Sequence, residues 1–97
     1  MKTPKEYLEE ALLKLGDLSD RKKAEALQIK ASALSHYRTE IRLMDDYTCT
    51  QIATLIGVEP MEVIAACQLQ REKDEERKAF WGVLQERLID ERKSQGG

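Results

Sequence analysis

Helix-start signals recur at short intervals along this chain, and they constrain its fold more than any other feature. The first is Thr3-Pro4-Lys5-Glu6, where a threonine can cap, proline suits the first helical position and a glutamate three residues on completes a capping box. Ser19 precedes a second helical segment, Asp45 or Asp46 can cap another, and Pro60 stands at the first turn of a further one. Between these signals the apolar residues fall at helical spacing: Tyr7, Leu8, Ala11, Leu12 and Leu15, then Ala24 and Leu27, then Ile29, Leu34 and Tyr37, then Ile52, Leu55 and Ile56. Gly16 and Gly57 stand where two of the segments should stop. No stretch alternates apolar and polar residues as a half-buried strand does. The expectation is an all-α chain of short helices.

The last segment reads differently. From Pro60 nothing breaks the helical pattern through the charged run Arg71-Glu72-Lys73-Asp74-Glu75-Glu76-Arg77-Lys78. Arg71 with Glu75 and Asp74 with Lys78 are spaced to pair along one helix. Apolar residues return at Phe80, Trp81, Val83, Leu84, Leu88 and Ile89. The expectation is therefore about five helices, four short ones and a long or broken fifth, with residues 1–70 forming the globule and residues 71–97 a charged, then amphipathic extension that frays at its Lys-Ser-Gln-Gly-Gly end. Phe80, Trp81, Leu84 and Leu88 are the candidate dimer or partner contacts, the alternative being that this segment folds back and covers the domain's own core. Gly82 among them weakens the helix.

With 97 residues there is room for one domain. Net charge is −2, but its distribution is uneven. Arg21, Lys22, Lys23, Lys30, Arg38 and Arg42 oppose only Glu25 and Glu40, so residues 21–42 are a basic island in an acidic chain. That island contains two short helical segments joined by a tight turn, spanning about residues 19–39, which is the helix-turn-helix arrangement. A helix that reads DNA needs a small, hydrogen-bonding outer face so that it can approach base edges. Ser32, Ser35, His36 and Thr39 meet that need and are the candidate base contacts. Arg21, Lys22, Lys30, Arg38 and Arg42 are the candidate phosphate contacts.

The chain also resembles a known family at this point. Residues 18–64 look like the Cro/lambda-repressor type of helix-turn-helix domain: "ALSHYRTEIRLMDDYTCTQIATLIGVEPMEVIA" carries the likeness, and its "IATLIGVEPMEVIA" ending is similar to that family's closing pattern. The members it most looks like are small phage- or prophage-encoded transcriptional regulators. The resemblance implies a five-helix domain, a homodimer and binding to operator DNA in the major groove as a repressor. Against that family, Gln28 and Glu40 stand where glycine is common, and Lys30 stands where serine or threonine commonly caps the reading helix. A non-glycine residue held at positive φ in those turns carries a conformational cost.

Other chemistries find less support. Ser35 and His36 are adjacent and so do not face each other on a helix, and no partner acid is apparent. A single histidine and two distant cysteines, Cys49 and Cys67, offer no zinc-ligand spacing. No glycine-rich phosphate loop is present. The expectation is a protein that is not an enzyme and takes no cofactor or metal. Without a secretory signal or an apolar run approaching the ~20 residues of a membrane helix, a soluble cytoplasmic location is expected. The rival reading keeps the same fold but makes the chain a protein-interaction module, an antirepressor or an adaptor to the transcription machinery, working through the Trp81 region.

Overall fold

Thr3 begins the first helix as its sequence demands. Its Oγ1 accepts from the Glu6 amide at 3.2 Å, and the Glu6 carboxylate accepts from the Thr3 amide at 2.9 Å. In a computed structural model, which describes residues 1–95, six α-helices follow one another: α1 Pro4–Lys14, α2 Asp20–Ala26, α3 Ala31–Arg38, α4 Asp46–Ile56, α5 Pro60–Arg71 and α6 Glu75–Gln95. Ser19 Oγ caps α2 by accepting from the Lys22 amide at 3.2 Å. Of the two aspartates before α4, Asp45 is the cap, accepting from the Thr48 amide at 2.8 Å, and this contact lowers its pKa. Gly57 closes α4 in the left-handed region at φ 77°.

The core gathers around α1, which packs against α3, α4 and α5. Tyr7, Leu8, Ala11 and Leu12 meet Leu27, Leu34, Tyr37, Met44, Cys49, Ile52, Val63, Ala66 and Cys67 in one buried cluster. Ala24 is also buried, a small residue in α2 where it packs on α3. Cys49 and Cys67 are buried free thiols whose sulfurs lie 3.6 Å apart across the α4–α5 contact.

In the C-terminal third the segment from Pro60 takes the broken form of the two expected. The helix from Pro60 does not run through the charged stretch: Glu72 is extended, and Asp74 caps a new helix by accepting from the Arg77 amide at 3.0 Å. The pairs expected within one continuous helix, Arg71 with Glu75 and Asp74 with Lys78, are replaced by an Arg77–Glu72 approach of 4.0 Å across the break. The described residues therefore form six helices, the expected fifth being divided in two, and α6 folds back antiparallel on α5. Gly82 lies beside Leu69 near one end of this hairpin, and Arg92 meets Glu62 near the other. The helix continues through Gln95 where fraying was expected. Gly96 and Gly97 of that expected frayed end lie outside the described residues.

The inner face of α6 is the other feature of this region. Its fully buried members are Gly82 and Gln85, while Trp81, Leu84 and Leu88 are half-buried at the flanks. What α6 brings to the interior is polar. Glu62 of α5 is wholly buried, and Arg92 holds it with two hydrogen bonds of 3.2 and 3.1 Å. Tyr7 of α1 donates to the same carboxylate at 2.6 Å. The Gln85 amide donates to the Tyr7 oxygen at 3.2 Å and to the Lys2 carbonyl at 2.8 Å. One carboxylate thus binds α1, α5 and α6 together.

Two outcomes follow from this network. Arg92→Ala leaves the Glu62 charge buried without its cation. It should lower unfolding free energy in urea by about 3 kcal/mol, the low end for a broken buried pair because the Arg92 side chain is 38% exposed. Burial, together with the hydrogen bond to Glu62, raises the Tyr7 pKa well above its ordinary value of 10.0. A raised pKa gives stability that is complete below pH 10 and is lost as pH climbs above it. Unfolding midpoints measured from pH 8 to about pH 11.5 should fall steeply at the alkaline end for the wild type and less steeply for Tyr7→Phe.

Candidate nucleic-acid interface

α2 and α3 form two short helices joined through Leu27–Lys30, and the turn between them has a defined geometry. The Gln28 amide donates to the Glu25 carbonyl at 3.0 Å, and the Ile29 amide reaches back to the Ala24 carbonyl at 3.0 Å. This is the Schellman closure, which requires its penultimate residue to be left-handed. Gln28 occupies that position at φ 59°. The same closure ends α3: the Glu40 amide donates to the Tyr37 carbonyl at 3.3 Å and the Ile41 amide to the His36 carbonyl at 2.9 Å, with Glu40 at φ 63°. The two positions where glycine was the commoner expectation are thus both left-handed. Both are also held by side chains, because the Gln28 carbonyl oxygen accepts from the Tyr47 hydroxyl and Glu40 lies 3.7 Å from Lys5.

Of the expected base contacts, Ser32, Ser35 and Thr39 are exposed, at spacings of three and four that put them on one face of α3. The Thr39 hydroxyl is turned back to the Ser35 carbonyl at 2.9 Å, so it presents its methyl group and an oxygen lone pair. His36 is half-buried, and its Nδ1 is buried without a hydrogen-bond partner. It therefore stands at the edge of the row rather than in its middle. No residue of α3 is acidic.

The expected phosphate contacts separate into two groups. Lys22, Lys30 and Arg42 are exposed, and the Arg42 guanidinium lies 5.9 Å from the centre of the buried Tyr37 ring. Lys30 precedes α3 as its N-cap but makes no side-chain cap. Arg21 and Arg38 already face carboxylates. Arg21 is 3.8 Å from Glu25 along α2, a highly exposed and weak pair. Arg38 donates through one nitrogen to Asp20 at 2.9 Å, tying the end of α3 to the start of α2. Tyr47, 53% exposed beside the turn, was not anticipated by the sequence reading. Its one local signal is an aromatic residue in the first turn of α4, off that helix's apolar face.

Phe80, Trp81, Leu84 and Leu88 do not share one exposed stripe. Phe80 points to solvent, Trp81 packs edge-on against it at 5.1 Å between ring centres, and Leu84 and Leu88 are half-buried. No group of three or more histidine, cysteine or acidic side chains able to hold a metal occurs among the described residues. Among them, too, no helix is long and apolar enough to cross a membrane. No family model, no curated protein and no solved structure matches this chain.

The turn geometry makes a direct prediction. Glu40→Gly relieves the left-handed strain and gives up only a long, exposed ion pair with Lys5. It should raise unfolding free energy by about 0.5–1 kcal/mol, read as a higher urea midpoint at unchanged slope.

Proposed function

We propose that this chain is a DNA-binding transcriptional regulator that presents α3 to the major groove. The observation that carries the reading is the outer row of α3: Ser32 and Ser35 on an eight-residue helix with no acidic residue, and Thr39 at its C-cap, are small, exposed and hydrogen-bonding. Such a face lets the helix backbone come close to base edges, where the serine hydroxyls can donate or accept and the Thr39 oxygen can accept. Lys22, Lys30 and Arg42 flank the row and supply phosphate affinity. Arg38 contributes in two ways, by fixing α3 on α2 through Asp20 and by leaving its other guanidinium nitrogens available. Two copies would read successive half-sites about 34 Å apart. Regulation would be steric, by occupation of a promoter, as in the phage and prophage repressors that the sequence resembles.

A second reading, a protein-interaction module of the same fold, is favoured by one observation. Phe80 is a large aromatic side chain left 61% exposed on a helix remote from the α2–α3 turn in sequence. The readings differ in which residues matter to partner binding.

The test is fluorescence anisotropy of the protein with duplexes from around its own gene, and with an unrelated duplex, at two salt concentrations. Binding should prefer one fragment and weaken with salt. Lys30→Ala and Arg42→Ala should each weaken binding to all duplexes and reduce the salt slope by about one. Ser32→Ala should instead erode the preference between duplexes. Equal affinity for every duplex at low salt overturns the proposal and leaves the interaction module.

A further inference from the structure

The solvent side of α6 carries a short pattern that neither the core nor the α3 face uses. Glu76, Phe80, Val83 and Arg87 are spaced four, three and four residues apart, which places them on one face of the helix, opposite the buried Gln85. Phe80 and Val83 are 61% and 67% exposed. Met1, 65% exposed, lies beside Gly82 and widens the apolar patch. Arg87 is 3.8 Å from Glu91 in a pair where both side chains are well over half exposed, so it can change partner at little cost.

The spacing reads the same from either end, while its charges have opposite signs at the two ends. Only one simple pairing satisfies both properties. Laid parallel on itself, the stripe sets Glu76 on Glu76 and Arg87 on Arg87. Laid antiparallel about a two-fold axis between Phe80 and Val83, it sets Phe80 against Val83 and Glu76 against Arg87, twice over. A symmetric dimer contact must be self-complementary in this way.

We propose that two copies of this chain associate through this stripe of α6, antiparallel, with Glu76 of each copy facing Arg87 of the other. Of the four contacts expected from sequence this stripe keeps Phe80 and leaves out Trp81, Leu84 and Leu88, which are half-buried within one copy. α6 packs on α5 whereas α3 packs on α2 and α1, so the pairing leaves the α3 row uncovered. Association of this kind does not depend on whether α3 reads DNA. The apolar patch is smaller than that of a standard interface, so the dimer is weak, with a Kd on the order of tens of micromolar.

The test is sedimentation equilibrium of the full chain without DNA, from about 5 to 500 µM. The wild type should pass from monomer to dimer across that range. Glu76→Arg alone and Arg87→Glu alone should each weaken association about tenfold, because each creates two like-charge contacts. An equimolar mixture of the two variants should regain wild-type association, since every contact in the mixed dimer is again of opposite sign. The double variant should regain it as well. All four positions are exposed, and circular dichroism should show every variant folded. A wild type that stays monomeric throughout overturns the proposal. So does a dimer indifferent to Phe80→Asp, or a mixture no better associated than its separate variants.

Discussion

A carboxylate with no access to water governs how this chain closes. An isolated ionised Glu62 at that depth would cost far more than the whole domain's marginal stability. It is tolerable only because Arg92 grips both its oxygens and Tyr7 donates to one of them. Those partners sit on α6 and α1, one near each end of the chain. The consequence is a geometric requirement: α6 must lie on α5 in the one register that brings residue 92 to residue 62. Apolar packing alone would set that register loosely, because the buried positions of α6 are a glycine and a glutamine. Directional hydrogen bonds to a buried charge select it instead, and Gln85 reinforces the choice by reaching Tyr7 and the Lys2 carbonyl.

The same contrast explains which parts of the fold could be read from sequence. Helices α1, α2 and α4 announce themselves through local chemistry: Thr3, Ser19 and Asp45 act within three residues of themselves, and apolar spacing identifies the buried faces. The break before α6 has a local signal too, since Asp74 followed by two glutamates is a sound helix start. Yet the same residues make equally good ion pairs within an unbroken helix, and nothing within a few residues decides between the two. The decision comes from Glu62 and Arg92, thirty positions apart. The inner face of α6 was not legible for a related reason. Hydrophobic spacing selects Trp81, Leu84 and Leu88, whereas the network recruits Gln85 and Arg92, which look like surface residues until their partners are known.

In the α2–α3 region the outer row was legible because it follows from helical spacing alone. Its electrostatics were not. Counting charges makes residues 21–42 uniformly inviting to phosphate, but folding brings Asp20 from just outside that window onto Arg38 and sets Lys5 beside Glu40. His36 shifts for a similar reason, as its Nδ1 turns inward beneath the row. Rigidity compensates for some of this. α3 is fixed at its start by the closure through Gln28 and at its end by the closure through Glu40, with Arg38 bracing it on α2.

The placement of Arg92 also imposes an order on the protein's synthesis. A ribosome releases α1 through α5 first, with Glu62 already committed to the interior and Tyr7 able to offer it one hydrogen bond. Until residue 92 emerges, the carboxylate has no cation, and the bundle must remain open to water there. The seam between α1 and α5 therefore closes fully only when α6 has been made. A nascent chain that stops short of that helix would be recognisable to a protease by a wet, unclosed seam between α1 and α5.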